Sequence, residues 1–339
     1  MFVQRPDSRP ALRKFYAVAG RVLFIEALDE WSAAAVERYF RDWYLEPAPP
    51  AGEAAPDATV RVRRGGPVPP LPANLDTFPL GEGWRGHTDG RAYHLDIEGS
   101  RVSFGGGPSP GLVEVWVEPG AEFGSLALAQ TIFNAFSAAA RRCGLFELHS
   151  AGVVEPACGA GALLVGVSGS GKSTLTMQLA AAGWGYLSDD VVLLTESAGE
   201  VEARPLRKVF AATEQAVAAA GLPGRASDAL TPINSKLRFA PETFFPRRHV
   251  EGNVPRVVFF PSVTHEPASR VTELARPEAL ARLLKMCPWA CYDRPASAAY
   301  LRALTLLAKQ CRAFEVRAGW DLLASPERAA RLLAPHVRP

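Results

Sequence analysis

Apolar positions change period along the chain, and each change marks a different element. Residues 15–27 read as a strand region, with Val22, Phe24 and Ile25 apolar. Residues 30–44 space Trp31, Val36, Phe40 and Trp43 at helical intervals and predict an amphipathic helix. Residues 46–72 are rich in Pro, Ala and Gly, with PAPPAGEAAP and GGPVPPLP inside them; they predict a long loop or linker broken by a brief strand at 59–63. Residues 93–97, 101–104 and 113–117 alternate apolar and polar side chains, as strands do, with GGGPSP at 105–110 as a connecting loop. A helix over 126–142 follows.

A second pattern begins near Leu145. Residues 148–154 and 162–167 read as strands joined by a Gly-rich turn at 159–161, 172–182 as a helix, and 186–194 as a strand around an acidic pair. Residues 257–261 predict another buried strand, and 277–286, 296–310 and 326–333 predict helices. Strand, loop, helix, strand with apolar strands implies an α/β core with a largely parallel sheet. No internal repeat is visible. With 339 residues and 48% hydrophobic content, the chain exceeds the usual size of one domain. The expected division is a smaller α+β domain over 1–142 and an α/β domain over 143–339.

Charge narrows the partners. Lys and Arg total 37 against 35 for Asp and Glu, a formal +2, which gives no electrostatic case for nucleic acid or a membrane surface. Arg5, Asp7, Arg9, Arg13 and Lys14 crowd the start, unlike a signal peptide, and no run reaches about 18 apolar residues. A cytoplasmic location is the expectation. Cys143, Cys158, Cys287, Cys291 and Cys311 are odd in number and irregularly spaced, which fits reduced, packed thiols. Cys287 and Cys291 lie four apart, but only the remote His265 could join them, so packing is expected rather than a metal. His87 and His94 have no partner at ligand spacing and read as structural.

Chemistry concentrates at 166–173, where GVSGSGKS satisfies G-x-x-x-x-G-K-[ST] between an apolar strand and a helix. Gly166, Gly169 and Gly171 are expected to take positive φ and bring the backbone close to phosphates. The amides of this loop, including Ser168, Ser170 and Thr174, then face the anion at a helix N-terminus. Lys172 reaches the β and γ phosphates, and the Ser173 hydroxyl is placed to ligate Mg²⁺. Leu175, Met177 and Leu179 tie the helix to the core. The alternative is a Gly-rich β–α turn with a coincidental Lys-Ser.

Two further features flank the loop. Ser188-Asp189-Asp190 ends the next strand, where one carboxylate can hold a metal and the other can take a hydroxyl proton. The alternative is a solvated acidic turn. Upstream, His149 opens the strand before the P-loop strand and is either near the triphosphate or merely packed.

Together, His149, the loop 166–173, Gly183 after the helix and Ser188-Asp189-Asp190 resemble the C-terminal catalytic domain of the HPr kinase/phosphorylase family. The match covers about residues 145–194, with a looser one in the C-terminal helices. The resemblance implies a P-loop core of the kind shared with phosphoenolpyruvate carboxykinase, ATP with Mg²⁺ as cofactors, and homo-oligomers. It also implies Asp189 as general base for a serine hydroxyl, Asp190 with Ser173 on the metal, and His149 as orienting group. Val167 stands where the bifunctional enzymes carry Asp, Thr174 where they carry Glu, and their Glu-Ile-Arg-Gly-Leu-Gly segment has no counterpart. HPr as acceptor and phosphorylase activity are therefore not expected. The acceptor implied is a hydroxyl on a peptide or protein, with a small hydroxylated metabolite as the alternative and a nucleotide-binding switch without transfer as a third reading. For an additional cation, Lys236 is the first choice, over Arg238, Arg247, Arg248 and the group Arg204, Arg207 and Lys208.

Overall fold

Alternating strands need cover for their apolar face, and in the first half of the chain two helices provide it. The computed structural model describes residues 10–49, 55–81, 83–106, 111–222, 231–233, 236–323 and 325–338. The start of the chain, residues 50–54 of the Pro-rich stretch, 107–110 of GGGPSP and the pair Asn234-Ser235 lie outside them. The fold is mixed α/β and forms two units, Met1–Leu145 with Asp293–Ala296, and Phe146–Tyr292 with Ser297–Pro339.

The first unit holds β1 (Leu12–Val18), β2 (Arg21–Ala27), α1 (Glu30–Phe40), β3 (Glu46–Ala48), β4 (Ala58–Arg64), β5 (Asp76–Gly81), β6 (Trp84–Thr88), β7 (Ala92–Ile97), β8 (Ser100–Gly105), β9 (Leu112–Val117) and α2 (Leu126–Arg142). Its nine strands run in the order β3-β1-β2-β4-β9-β8-β7-β6-β5. The strand region at 15–27 is in fact a hairpin, turned by Ala19 and Gly20 at φ 46° and 76°. β5 and β6 carry Pro79 and two glycines, Gly81 and Gly86, which hide their period. At Gly86 a Cβ would stand 2.2 Å from the Phe78 ring, so the missing side chain is what lets these two strands pair. Asp29 caps α1 and Ser125 caps α2. The apolar faces of α1 and α2 cover β2, β4, β7, β8 and β9, burying Tyr93, Leu95, Val102, Phe104, Val113 and Val115.

Asp293 explains why residues 293–296 belong here. Arg141 Nε donates to its Oδ2 at 2.9 Å, and Arg142 Nη1 donates to both oxygens at 2.9 and 2.8 Å. The side chains of Arg141 and Asp293 are fully buried.

The second unit holds β10 (Phe146–Leu148), β11 (Ser150–Val154), β12 (Gly161–Val165), α3 (Lys172–Ala181), β13 (Gly185–Ser188), β14 (Val192–Ser197), β15 (Glu200–Pro205), β16 (Phe210–Ala212), α4 (Glu214–Ala219), β17 (Thr231–Ile233), β18 (Lys236–Phe239), β19 (Pro255–Val263), β20 (Arg270–Leu274), α5 (Arg276–Lys285), α6 (Trp289–Tyr292), α7 (Arg294–Gln310), β21 (Arg312–Ala318) and α8 (Pro326–Val337). A six-stranded sheet runs β13-β11-β12-β19-β21-β20. Only β12, β19 and β21 are parallel, so the expected largely parallel sheet is half antiparallel. The α3 and α8 face buries Leu164, Leu175, Phe259, Phe314 and Leu333. On the other face, α5 and α7 enclose Leu163, Val258, Leu283 and Leu304, together with residues of the small sheet β10-β14-β15. β16, β18 and β17 make a third sheet. Cys143, Cys287 and Cys311 are buried, and burial pushes each thiol up to about 12. No described helix is long and apolar enough to cross a membrane.

Removing the shared carboxylate should take the ion-pair partner from two guanidinium groups, one of them fully buried. Asp293→Ala is expected to cost about 3–5 kcal/mol in chemical denaturation. Glu196→Ala, which breaks an exposed pair with Arg302, should cost less than about 1 kcal/mol by the same measurement.

Candidate functional site

β12 delivers the chain to residues 166–171, and α3 carries it away. Gly169 and Gly171 adopt φ 82° and 97°, where only glycine is comfortable. Gly166 does not take positive φ. Its need is space, because a Cβ there would lie 2.7 Å from Ser170 Oγ. Among the described residues, the amides of Gly171, Lys172 and Ser173 have no hydrogen-bond acceptor, and neither has the buried Ser170 Oγ. This is an anion cradle at a helix N-terminus. Ser168 and Gly169 are exposed on its outer rim, and Ser173 and Thr174 are half-buried at its base.

Lys172 is buried, at 5% exposure. Its three donors go to Gly166 O at 2.6 Å, Val167 O at 2.9 Å and His149 Nε2 at 3.1 Å. An ammonium only donates, so Nε2 must accept and the ring proton must sit on Nδ1. That proton faces Asp190 Oδ1 at 3.1 Å. Asp190 Oδ2 in turn receives Arg207 Nη1 at 2.8 Å. Ammonium, imidazole, carboxylate and guanidinium thus form one chain of contacts.

Backbone pairing explains this convergence. β10 pairs antiparallel with β14 in the small sheet, and β11 with β13 in the large one, so the same two stretches of chain run alongside each other in both sheets. His149 lies at the crossing on one side and Asp189-Asp190 on the other. The expected strands 148–154 and 186–194 are therefore broken at His149 and at Asp189-Asp190. The break frees Asp189 and Asp190 from strand alternation, which would have sent them to opposite faces. The two carboxylates meet different neighbours. Asp189 is 2% exposed and accepts Ala211 N–H at 3.1 Å through Oδ2. Its Oδ1 has no partner at ordinary hydrogen-bond geometry, although the Ser173 hydroxyl beside the carboxylate favours its charged form.

Electrostatics separates the pair. Burial, followed by the neighbouring Asp190 charge, pushes Asp189 up to about 7. Asp190 is held well below the ordinary carboxylate range: burial opposes its charge, but Arg207, His149 and Lys172 together outweigh that. Burial lowers the Lys172 ammonium, opposed by Asp190 and Asp189 and assisted by the Lys236 charge.

The structure brings together Lys172, His149, Asp189, Asp190, Ser173 and the loop glycines. Ser173 is beside Asp189 rather than Asp190. Lys236 is exposed on β18, within electrostatic reach of Lys172. The cation in direct contact is Arg207, which the sequence reading ranked below Lys236. A signal for it exists: Ala198 and Gly199 turn a hairpin that pairs Val192 with Pro205, so Arg207 returns beside Asp190. Arg204 instead pairs with Glu202 at 3.0 Å. No group of three His, Cys, Asp or Glu at metal-holding distance occurs among the described residues. Any divalent ion here would be completed by phosphate oxygens.

No family model matches the chain, and no curated protein matches it. Among solved structures, the Hpr(Ser) kinase/phosphatase from Coxiella burnetii is similar over 56% of this chain and 95% of its own, at 14% identity and a TM-score of 0.30. A likeness this loose leaves the function to be read from the site's own residues.

Asp189 also makes a stability prediction. Its folded pKa lies above the unfolded value, so ionising it costs stability; the cost begins near 3.8 and is complete above about 7. In metal-free protein, Asp189→Asn should therefore raise the Tm at pH 8. The gain should shrink as pH falls and vanish below the ordinary carboxylate value. A variant less stable than wild type at pH 8 would contradict the buried charge.

Proposed function

We propose that the chain is an ATP-dependent, Mg²⁺-requiring kinase that transfers the γ-phosphate to a Ser or Thr hydroxyl of a peptide or protein. The observation that carries this reading is the contact of Lys172 with His149. The side chain that a P-loop aims at the β and γ phosphates stands 3.1 Å from an imidazole wired to a carboxylate pair. A bare anion site needs the cradle only. A transfer site also needs a group to take the acceptor's proton, and the carboxylates around His149 are the groups that would supply it.

Asp189 is the assigned base. A pKa near 7 suits a base working at neutral pH, and Oδ1, buried without a hydrogen-bond partner, is the oxygen assigned to receive the proton. The acceptor hydroxyl gives that proton to Oδ1 as its oxygen bonds to phosphorus and the bond to the leaving ADP oxygen breaks. Lys172 and Arg207 hold the charge on the transferred group. Ser173 would hold the metal from the loop, and Asp190, whose oxygens already engage His149 and Arg207, would contribute its charge. Mg²⁺ bound with the nucleotide supplies neutralisation of the phosphate oxygens. The HPr kinase and phosphoenolpyruvate carboxykinase type of core belongs to the same proposal, as does a role for the first unit in acceptor recognition or assembly.

A small hydroxylated metabolite is the second reading. It is favoured by a cavity of about 360 Å³ beside Val167, Ser168, Phe260, Val263, Lys285 and Met286. Incubating the protein with ATP, Mg²⁺ and either Ser/Thr peptide libraries or metabolite pools, read by mass spectrometry, separates the two. Asp189→Asn should lose at least about 100-fold in transfer while Mg²⁺-dependent ATP binding persists. Transfer at the normal rate in that variant would remove Asp189 as the base. Tight ATP binding with no acceptor phosphorylated would leave a nucleotide switch.

A further inference from the structure

In parallel α/β sheets, ligands gather at the carboxyl ends of the strands. Three such ends stand side by side here, because β12, β19 and β21 run parallel in that order. The first end leads into the P-loop. The second leads into residues 264–269, and the third into a 3₁₀ turn, Trp320–Leu323. That third end lies two strand spacings, roughly 10 Å, from the first.

The two outer connections are stapled together. Thr264 N–H donates to Ala318 O at 2.8 Å, Trp320 N–H to Glu266 O at 3.0 Å, and Asp321 N–H to Pro267 O at 3.2 Å. Ser269 Oγ receives Gly319 N–H at 2.8 Å and donates to Asp321. A Cβ on Gly319 would press to 2.6 Å from Glu266 O, so the glycine permits the close approach. This rigid frame nonetheless leaves Trp320 49% exposed, with the His265 ring centroid 5.8 Å away. An exposed indole beside an imidazole, on a backbone held this firmly, can serve as a stacking surface.

Its position relative to the cradle is set by α3. Gln178 Nε2 donates to Leu322 O, which ties that helix face to the 3₁₀ turn. Thr174 is one turn earlier on the same face, next to the loop's Ser173. Val263 Cγ2 lies 3.3 Å from where a Gly171 side chain would begin. The acid–base residues adjoin the Lys172 end of the cradle, so the Thr174 side is left for the rest of a nucleotide.

We propose that Trp320, with His265, is the platform on which the nucleobase of the bound triphosphate stacks. The proposal rests on the reading of 166–173 as a nucleotide P-loop. Calorimetric binding of ATP and of inorganic tripolyphosphate, each with Mg²⁺, tests it, because tripolyphosphate has the anion without the base. Trp320→Ala should weaken ATP by roughly tenfold or more and leave tripolyphosphate unchanged, and Trp320→Phe should recover most of the ATP affinity. His265→Ala should give a smaller loss of the same kind. An unchanged ratio of the two affinities in Trp320→Ala, or equal loss of both, overturns the platform. Loss of both ligands in Lys172→Ala alongside an unaffected Trp320→Ala would spare the P-loop reading and remove only the platform. Failure of the wild type to bind either ligand would remove both.

Discussion

A buried ammonium must spend every donor it has, and the arrangement of the site follows from that requirement at Lys172. Two of its partners are carbonyls of its own loop, so the loop's path is tied to the lysine. The third is His149, and this contact dictates which imidazole nitrogen carries the proton. The tautomer then dictates what Asp190 receives, and Arg207 balances the carboxylate from its other side. With Asp190 held ionised, its neighbour Asp189 is buried beside a fixed negative charge and keeps its proton to near neutrality. Arg207, His149 and Lys172 on one carboxylate and burial on the other thus sort two adjacent, chemically identical groups into different states.

The backbone makes this sorting possible by failing to be regular. A straight strand through 186–194 would bury one aspartate and expose the other. The pairing instead passes from one sheet to the other at His149 and at Asp189-Asp190, while apolar neighbours on both sides, Leu148, Leu187 and Val192, remain in one core. The irregularity is local, and its flanks are anchored.

Much of this was legible in the sequence, for identifiable reasons. The loop 166–173 announces itself because its glycines, lysine and serine must occur in fixed order between a strand and a helix. α2 matched its apolar spacing at both ends because Ser125 caps it and its inner face is continuous. Strand breaks at His149 and at Asp189-Asp190 were not visible, since hydrophobic runs on either side read as uninterrupted. β21, the last of the second unit's three parallel strands, is hidden because RAFEVRA follows directly on a long helix with no turn residue between them. Arg207 was one cation among several until the hairpin register placed it. The exposed Trp320 carries no local signal, because its frame is built from contacts some fifty residues apart in sequence.

The crossing ladder also governs where the chain can change length. Antiparallel pairing on both sides holds His149 beside Asp189-Asp190, so one residue gained or lost between 146 and 152, or between 188 and 194, would reverse the inward side chains beyond it, whereas past Gly152 the register already shifts. The turns outside those limits, at 155–160 and at Ala198-Gly199, carry no such burden. Insertions among relatives of this protein should therefore collect at the turns, while the two short segments that face each other keep a fixed count of residues however far their sequences drift.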